Sequence, residues 1–175
     1  MDLKSKIREI PDWPKAGINF KDITTLLQDK SAFRQVIDLL SAPFLDKNID
    51  KVVGIDARGF LVAAPVAYKI GAGLAIVRKP GKLPYTTIEQ EYTLEYASNI
   101  IQMHTDAIAA GEKVVLIDDL IATGGTAIAA CDLIEKLGGK ILGISCIIDL
   151  PFLSGSKKLK ESGYAVRSLV EYEGE

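Results

Sequence analysis

Apolar residues recur along the chain in two patterns: short unbroken runs, and faces that repeat every three or four positions. The runs at 51–55, 74–77, 114–117 and 141–148 are rich in Val and Ile, and such runs predict strands buried on both faces of a parallel sheet. A further run at 166–170 predicts an edge strand. Helical spacing begins near Ser31, where Phe33, Val36, Ile37 and Leu40 share a face and Ser31 is placed as the cap; Pro43 then marks a kink or a break. Residues 56–59 read as a strand-to-helix turn and 60–70 as a helix. From Ala127 a third helix is predicted, with Ala127, Ala130, Cys131, Ile134 and Leu137 on one face, Asp132, Glu135 and Lys136 opposite, and Gly138-Gly139 as its stop. Ahead of all these, 3–10 predict a short helix ended by Pro11, 11–17 a turn-rich segment and 18–24 an extended arm. Strands alternating with helices at this spacing predict an α/β fold on a parallel sheet with right-handed crossovers.

Residues 78–96 break the alternation. They contain Pro80, Gly81 and Pro84 and lack periodicity until 92–96, too long a stretch for a plain connection. A polar excursion starting at the carboxyl edge of a sheet is either a lid over a ligand or an inert surface hairpin. Residues 100–103 fit strand and helix equally.

Composition narrows the class. A chain of 175 residues with 48% hydrophobic and 25% charged residues predicts one compact domain spanning 1–175. Its net charge of −2 argues against general nucleic-acid or membrane-surface binding, so any anion site must be built locally. The N-terminus lacks an apolar signal core and no run of membrane-spanning length occurs, which predicts a soluble, cytoplasmic protein. Cys131 and Cys146 fall in a predicted helix and strand and read as buried free thiols. With one histidine, His104, no Cys/His metal cluster is possible, and His104 reads as a partly exposed packing residue.

The chemistry concentrates at 114–127. Asp118 and Asp119 stand at the carboxyl end of a predicted strand, where open α/β sheets bind ligands. The small residues 122–126 then let backbone amides approach an anion at a helix start, as a phosphate requires. Two carboxylates beside a phosphate repel it unless they face hydroxyls or a divalent cation on the same ligand, and a sugar phosphate with a free diol meets both demands. The plain alternative is a solvated Asp pair followed by an ordinary helix start. A Walker loop is excluded because Thr126-Ala127 follows Gly125, and a dinucleotide fingerprint because Ile76 stands where the third glycine after Gly71 and Gly73 belongs.

The run 114–126 resembles the phosphoribosyl-pyrophosphate signature of type I phosphoribosyltransferases, and further runs extend the likeness along essentially the whole chain to the adenine phosphoribosyltransferase family. Residues 12–23 resemble that family's purine-covering hood, 54–60 its pyrophosphate loop, and 78–84 with 94–96 the start and end of its mobile catalytic loop. The resemblance implies the type I fold: a central, mostly parallel sheet flanked by helices, a small N-terminal hood over about 1–30 and a catalytic loop over about 78–96. It implies joining adenine to 5-phosphoribosyl 1-pyrophosphate with Mg2+, giving AMP and pyrophosphate, in a homodimer. Arg58 would hold pyrophosphate, joined by Arg78, Lys79 and Lys82 when the loop closes. Asp118 and Asp119 would bind the ribose diol and, through water and substrate, the metal. The 5′-phosphate would rest on Ala122, Thr123, Gly124, Gly125 and Thr126, with Leu150 near the ribose-phosphate site. Glu95 would handle a proton of the purine and Tyr96 lies beside it among the substrate residues. Phe20 would stack on the base while backbone groups around Asn19 and Lys21 read its edge.

Departures fall at Asn19, where some members have valine, at Lys21, where some have arginine, and at Ala57, which replaces a serine. If the Asn19 amide faced the base, preference would move toward an oxopurine, so xanthine, hypoxanthine or guanine transfer on the same scaffold is the first alternative. A non-catalytic regulator that senses phosphoribosyl pyrophosphate and controls a nucleic-acid partner is the second. It ranks lower because the chain offers no helix-turn-helix segment or basic stripe and keeps Arg58, Lys82 and Glu95.

Overall fold

The five predicted strands assemble into one parallel sheet. The structure, a computed structural model, describes residues 2–94 and 97–174. Its N-terminal hairpin is β1 (Arg8–Ile10) paired antiparallel with β2 (Phe20–Asp22), followed by α1 (Thr24–Gln28) and α2 (Lys30–Ser41). Then come β3 (Lys51–Ile55), α3 (Arg58–Ile70), β4 (Gly73–Val77), β5 (Thr87–Leu94), β6 (Ala97–His104), β7 (Lys113–Ile121), α4 (Gly125–Lys136), β8 (Lys140–Asp149), α5 (Gly155–Glu161) and β9 (Val166–Glu171). The central sheet has the order β4-β3-β7-β8-β9, with every pairing parallel and β9 at an edge.

Both faces of the sheet are covered, as its unbroken apolar runs require. Successive strand residues point to opposite faces. Val52, Val115 and Ile117 therefore enter a core with Val36, Leu40, Val62 and Val66. Val53, Val114 and Leu116 enter the other, with Met103, Ala130, Ile134 and Leu159. Each such Val, Leu or Ile contributes about 1.5–3 kcal/mol when fully buried.

Four sequence expectations are corrected. Residues 3–10 do not form a helix: a 3-10 turn spans Lys4–Lys6, and Arg8–Ile10 is a strand because Phe20–Asp22 supplies its ladder partner. The cap of α2 is Asp29, which accepts from the amides of Ser31 and Ala32 at 2.9 and 3.0 Å, so Ser31 lies within the helix. Helices α3 and α4 each begin two residues before the predicted starts at 60 and 127. Finally, β7 runs past Ile117, through both aspartates to Ile121. Its ladder with β3 ends at Ile117 while that with β8 continues to Ile121↔Asp149. The aspartates thus occupy the part of β7 that outgrows one neighbour. Pro43 marks a break, since α2 ends at Ser41 and a 3-10 turn spans Ala42–Phe44.

The excursion contains β5, which pairs antiparallel with β6 just beyond it, and this settles 100–103 as strand. Tyr92 of β5 packs on the core that includes α4. Cys131 and Cys146 are free and buried. Half-exposed His104 accepts from the Tyr85 amide at 3.3 Å, consistent with a packing role. Among the described residues no helix is long and apolar enough to cross a membrane.

Candidate active site

Two helix starts and one overgrown strand converge on a cavity of about 360 Å³, lined by 55–58 and 118–127. At its first wall, β3 passes through Asp56 and Ala57 directly into α3, whose cap position, Ala57, makes no side-chain cap bond. At its second wall, α4 starts behind Gly124, which also makes no side-chain cap bond and has φ +84°. That left-handed conformation favours glycine. Uncapped first-turn amides carry partial positive charge, so each wall is suited to an anion. The Asp56–Ala57 peptide bond is cis.

Asp118 and Asp119 form the floor between these walls. Asp118 Oδ1 accepts from the Asp119 amide at 2.8 Å. Burial, and next the adjacent Asp119 charge, push the Asp118 carboxyl well above the ordinary range. Burial also raises that of Asp119, against the opposing effect of Arg58. Arg58 Nε lies 2.8 Å from Asp119 Oδ2, yet this oxygen has no aligned hydrogen bond and is buried. The Arg58 charge offsets part of the cost of burying this acceptor without an aligned hydrogen bond. Two adjacent carboxylates, one of them paired with Arg58, fit a hard divalent cation that keeps waters and takes its other ligands from the oxygens of a bound molecule. Among the described residues no group of three or more His, Cys, Asp or Glu could hold a metal by itself.

The N-terminal hairpin meets this cavity through Arg58. Its guanidinium carbon lies 5.0 Å from the ring centre of Phe20, which also meets Trp13 edge-on at 4.5 Å. Lys21 and Asn19 turn elsewhere: Lys21 Nζ and Asn19 Nδ2 donate to Glu9 Oε2 at 2.7 and 2.6 Å. Arg78 reaches the cavity indirectly, donating from Nε to Asp56 Oδ2 at 2.9 Å.

The structure therefore brings Arg58, Asp118, Asp119, Ala122, Thr123, Gly124, Gly125 and Thr126 together, with Phe20 beside them and Arg78 one residue removed. Exposed Lys79 and Lys82 do not line the cavity, and neither does Leu150, which packs on the core and donates its amide to Ile121 O at 3.0 Å. Glu95 and Tyr96 lie outside the described residues.

Three positions to which the sequence assigned no site role also shape the cavity. Asp56 lines the cavity and anchors Arg78. Gly59 lies against Asp118: a Cβ there would stand 2.7 Å from its Oδ1. Gly155 donates its amide to Ala122 O at 3.1 Å, and a Cβ there would stand 2.2 Å from that oxygen and 2.6 Å from Gly124 N. Asp56 and Gly59 had a local signal, their place in the run 54–60 beside Arg58, whereas Gly155 had none.

Comparison with known proteins adds findings of three kinds. The model of the phosphoribosyl transferase domain family matches residues 22–172. An adenine phosphoribosyltransferase of Alkaliphilus metalliredigens is 58% identical, with 98% of this chain and all of that one covered. One of Pelodictyon phaeoclathratiforme is 51% identical over the full length of both. Among solved structures, the adenine phosphoribosyltransferase of Thermoanaerobacter pseudethanolicus superposes with a TM-score of 0.92 at 48% identity, with 98% of each chain covered. That of Saccharomyces cerevisiae, complexed with an imino-altritol bisphosphate and adenine, gives 0.90 at 36% identity, with 97% of each chain covered.

Proposed function

This chain belongs to the phosphoribosyl transferase domain family, and from that premise we propose that it is an enzyme of purine salvage, converting adenine and 5-phosphoribosyl 1-pyrophosphate to AMP and pyrophosphate. The observation that carries this reading is the cavity itself, where two uncapped helix starts flank paired carboxylates. One ligand with two separate anionic groups and a diol between them satisfies all three. The relatives' names give the base as adenine, which favours it over the oxopurine and regulator alternatives.

In the transfer, a ring nitrogen of adenine attacks the anomeric carbon as the bond to the pyrophosphate oxygen breaks. The electron pair leaves with pyrophosphate, and one purine ring proton passes to a base. Charge grows on the ribose ring and the departing oxygens, so the site must stabilise both. Arg58 and the α3 amides serve the pyrophosphate, and Arg78, Lys79 and Lys82 join them from the segment leading into β5. The amides of 122–126, with the Thr123 and Thr126 hydroxyls, hold the 5′-phosphate, near which Leu150 packs. Asp118 and Asp119 accept from the diol. Glu95 is the proton acceptor and Tyr96 its neighbour at the substrate, roles that rest on the resemblance. Phe20 stacks on the base, whose edge the main chain at Asn19 and Lys21 reads.

Mg2+, bound through water and substrate oxygens at Asp118 and Asp119, would supply charge neutralisation and a template. We further propose a single domain over 1–175 that pairs as a homodimer, and a cytoplasmic location, which suits the two free thiols. The reaction class is tested by incubating the chain with adenine, phosphoribosyl pyrophosphate and MgCl2 and separating nucleotides by chromatography. AMP and pyrophosphate in equal amounts are expected, and absence of both would sink the proposal.

A further inference from the structure

The two departures that flank Phe20 share one partner. Glu9 stands directly across from Lys21 in the β1–β2 register, so their side chains lie on the same face of the hairpin. One oxygen of Glu9, Oε2, accepts from Lys21 Nζ at 2.7 Å and from Asn19 Nδ2 at 2.6 Å. Phe20, the residue between, points to the opposite face by strand alternation and meets Arg58 and Trp13 there.

The clamp is anchored to the body of the protein. Lys21 is buried, and its ammonium also lies over the ring of buried Tyr172, 4.3 Å from the centroid. The Tyr172 amide in turn donates to Asp149 O, at the end of β8. A carboxylate only accepts, so Glu9 also fixes which end of the Asn19 amide faces it. Nδ2 is committed to Glu9, and Oδ1 is left buried without a hydrogen-bond partner among the described residues.

We propose that Glu9 is a positioning residue for the purine: by gathering Asn19 and Lys21 on a single carboxylate oxygen, it holds the main chain on either side of Phe20 in the geometry that reads the base. Glu9 touches no substrate itself. Its side chain is 48% exposed, whereas that of Lys21 is 4% exposed, so the clamp orders the hood more than it fills a core. The inference rests on the function proposed above, and it deepens it by assigning the purine's affinity to a residue one strand away from it. It also accounts for the joint presence of Asn19 and Lys21, since both supply donors to the same acceptor.

The test is steady-state kinetics of Glu9→Ala, Glu9→Gln and the wild-type chain, with both substrates varied. Glu9→Ala is expected to raise KM for adenine about tenfold while KM for phosphoribosyl pyrophosphate stays within about twofold. Glu9→Gln keeps an acceptor oxygen but not the charge, and is expected to fall between; being isosteric, it decides the matter if Glu9→Ala does not fold. An unchanged adenine KM in folded variants, or an equal rise in both KM values, overturns the proposal. Wild-type turnover of adenine is measured alongside. An inactive wild type overturns the function reading and this one with it, whereas an active wild type with unaffected variants overturns the clamp alone.

Discussion

Arg58 Nε stands 2.8 Å from Asp119 Oδ2, so a single ion pair joins the start of α3 to the carboxylate floor of the cavity. Arg58 is the chief influence holding the Asp119 carboxyl down against burial. Replacing Arg58 by Ala therefore removes the proposed pyrophosphate ligand and makes Asp119 harder to ionise. A fall of about 100-fold or more in kcat/KM is expected, as for loss of a charge-stabilising group. Asp119→Asn should cost a similar factor, and the double variant much less than the product of the two, because the residues act as a unit. Kinetics of the four-member cycle check this, and full additivity would contradict it.

Asp118 gives a prediction for stability against pH. Its folded-state pKa is raised above the unfolded value, mainly by burial. The folded protein then binds this proton more tightly than the unfolded chain does. Its stabilising contribution is present below the unfolded carboxylate pKa, about 3.9, and is lost as pH rises through the folded pKa. Asp118→Asn relieves that burden. It is expected to raise Tm at pH 8, with a gap over wild type that narrows as pH falls toward about 4, at about 2–4 °C per kcal/mol for a chain of this size. Turnover should fall sharply in the same variant. Thermal scans across pH read the first effect and the AMP assay the second.

Gly155 is predicted to support the phosphate loop from behind. A Cβ at this position would stand 2.2 Å from Ala122 O and 2.6 Å from Gly124 N, both backbone atoms that cannot rotate aside. Gly155→Ala should destabilise the fold by about 1–3 kcal/mol, as overpacking does. It should also raise KM for phosphoribosyl pyrophosphate more than KM for adenine. Urea titration and two-substrate kinetics measure the pair of effects, and unaltered values for both would refute the role.

The thiols should be inert in the native protein. Burial is the chief cause raising both, pushing Cys131 up to about 12 and Cys146 well above the ordinary thiol range. An aromatic disulfide reagent at pH 8 is expected to leave both untouched until denaturant is added, when two thiols per chain react. Rapid native reaction would contradict their burial.

Much of this architecture was legible because hydrophobic runs and faces are local signals. The strands at Lys51–Ile55 and 141–148, the faces led by Val36 and Ala130, and the small residues 122–126 announced the sheet, its helices and the anion turn. The misreadings arose where a partner distant in sequence decides the structure. Ile7 and Ile10 suit a helical face, but Phe20–Asp22 offers Arg8–Ile10 a ladder. Asp118 and Asp119 look like the end of a strand, yet main-chain pairing with β8 carries β7 beyond them. Contacts such as Gly155 with Ala122, or Glu9 with Asn19 and Lys21, leave no local trace. They emerge only once the chain has folded.

An adenine site joined to a phosphoribosyl-pyrophosphate site would show itself in kcat/KM for adenine, hypoxanthine, guanine and xanthine, measured in parallel at saturating phosphoribosyl pyrophosphate and MgCl2. AMP formation is expected, with adenine favoured over each oxopurine by about 100-fold or more, since a polar edge built for an amino group leaves groups unpaired against an oxo group. Preference for an oxopurine, or no nucleotide from adenine, would contradict it.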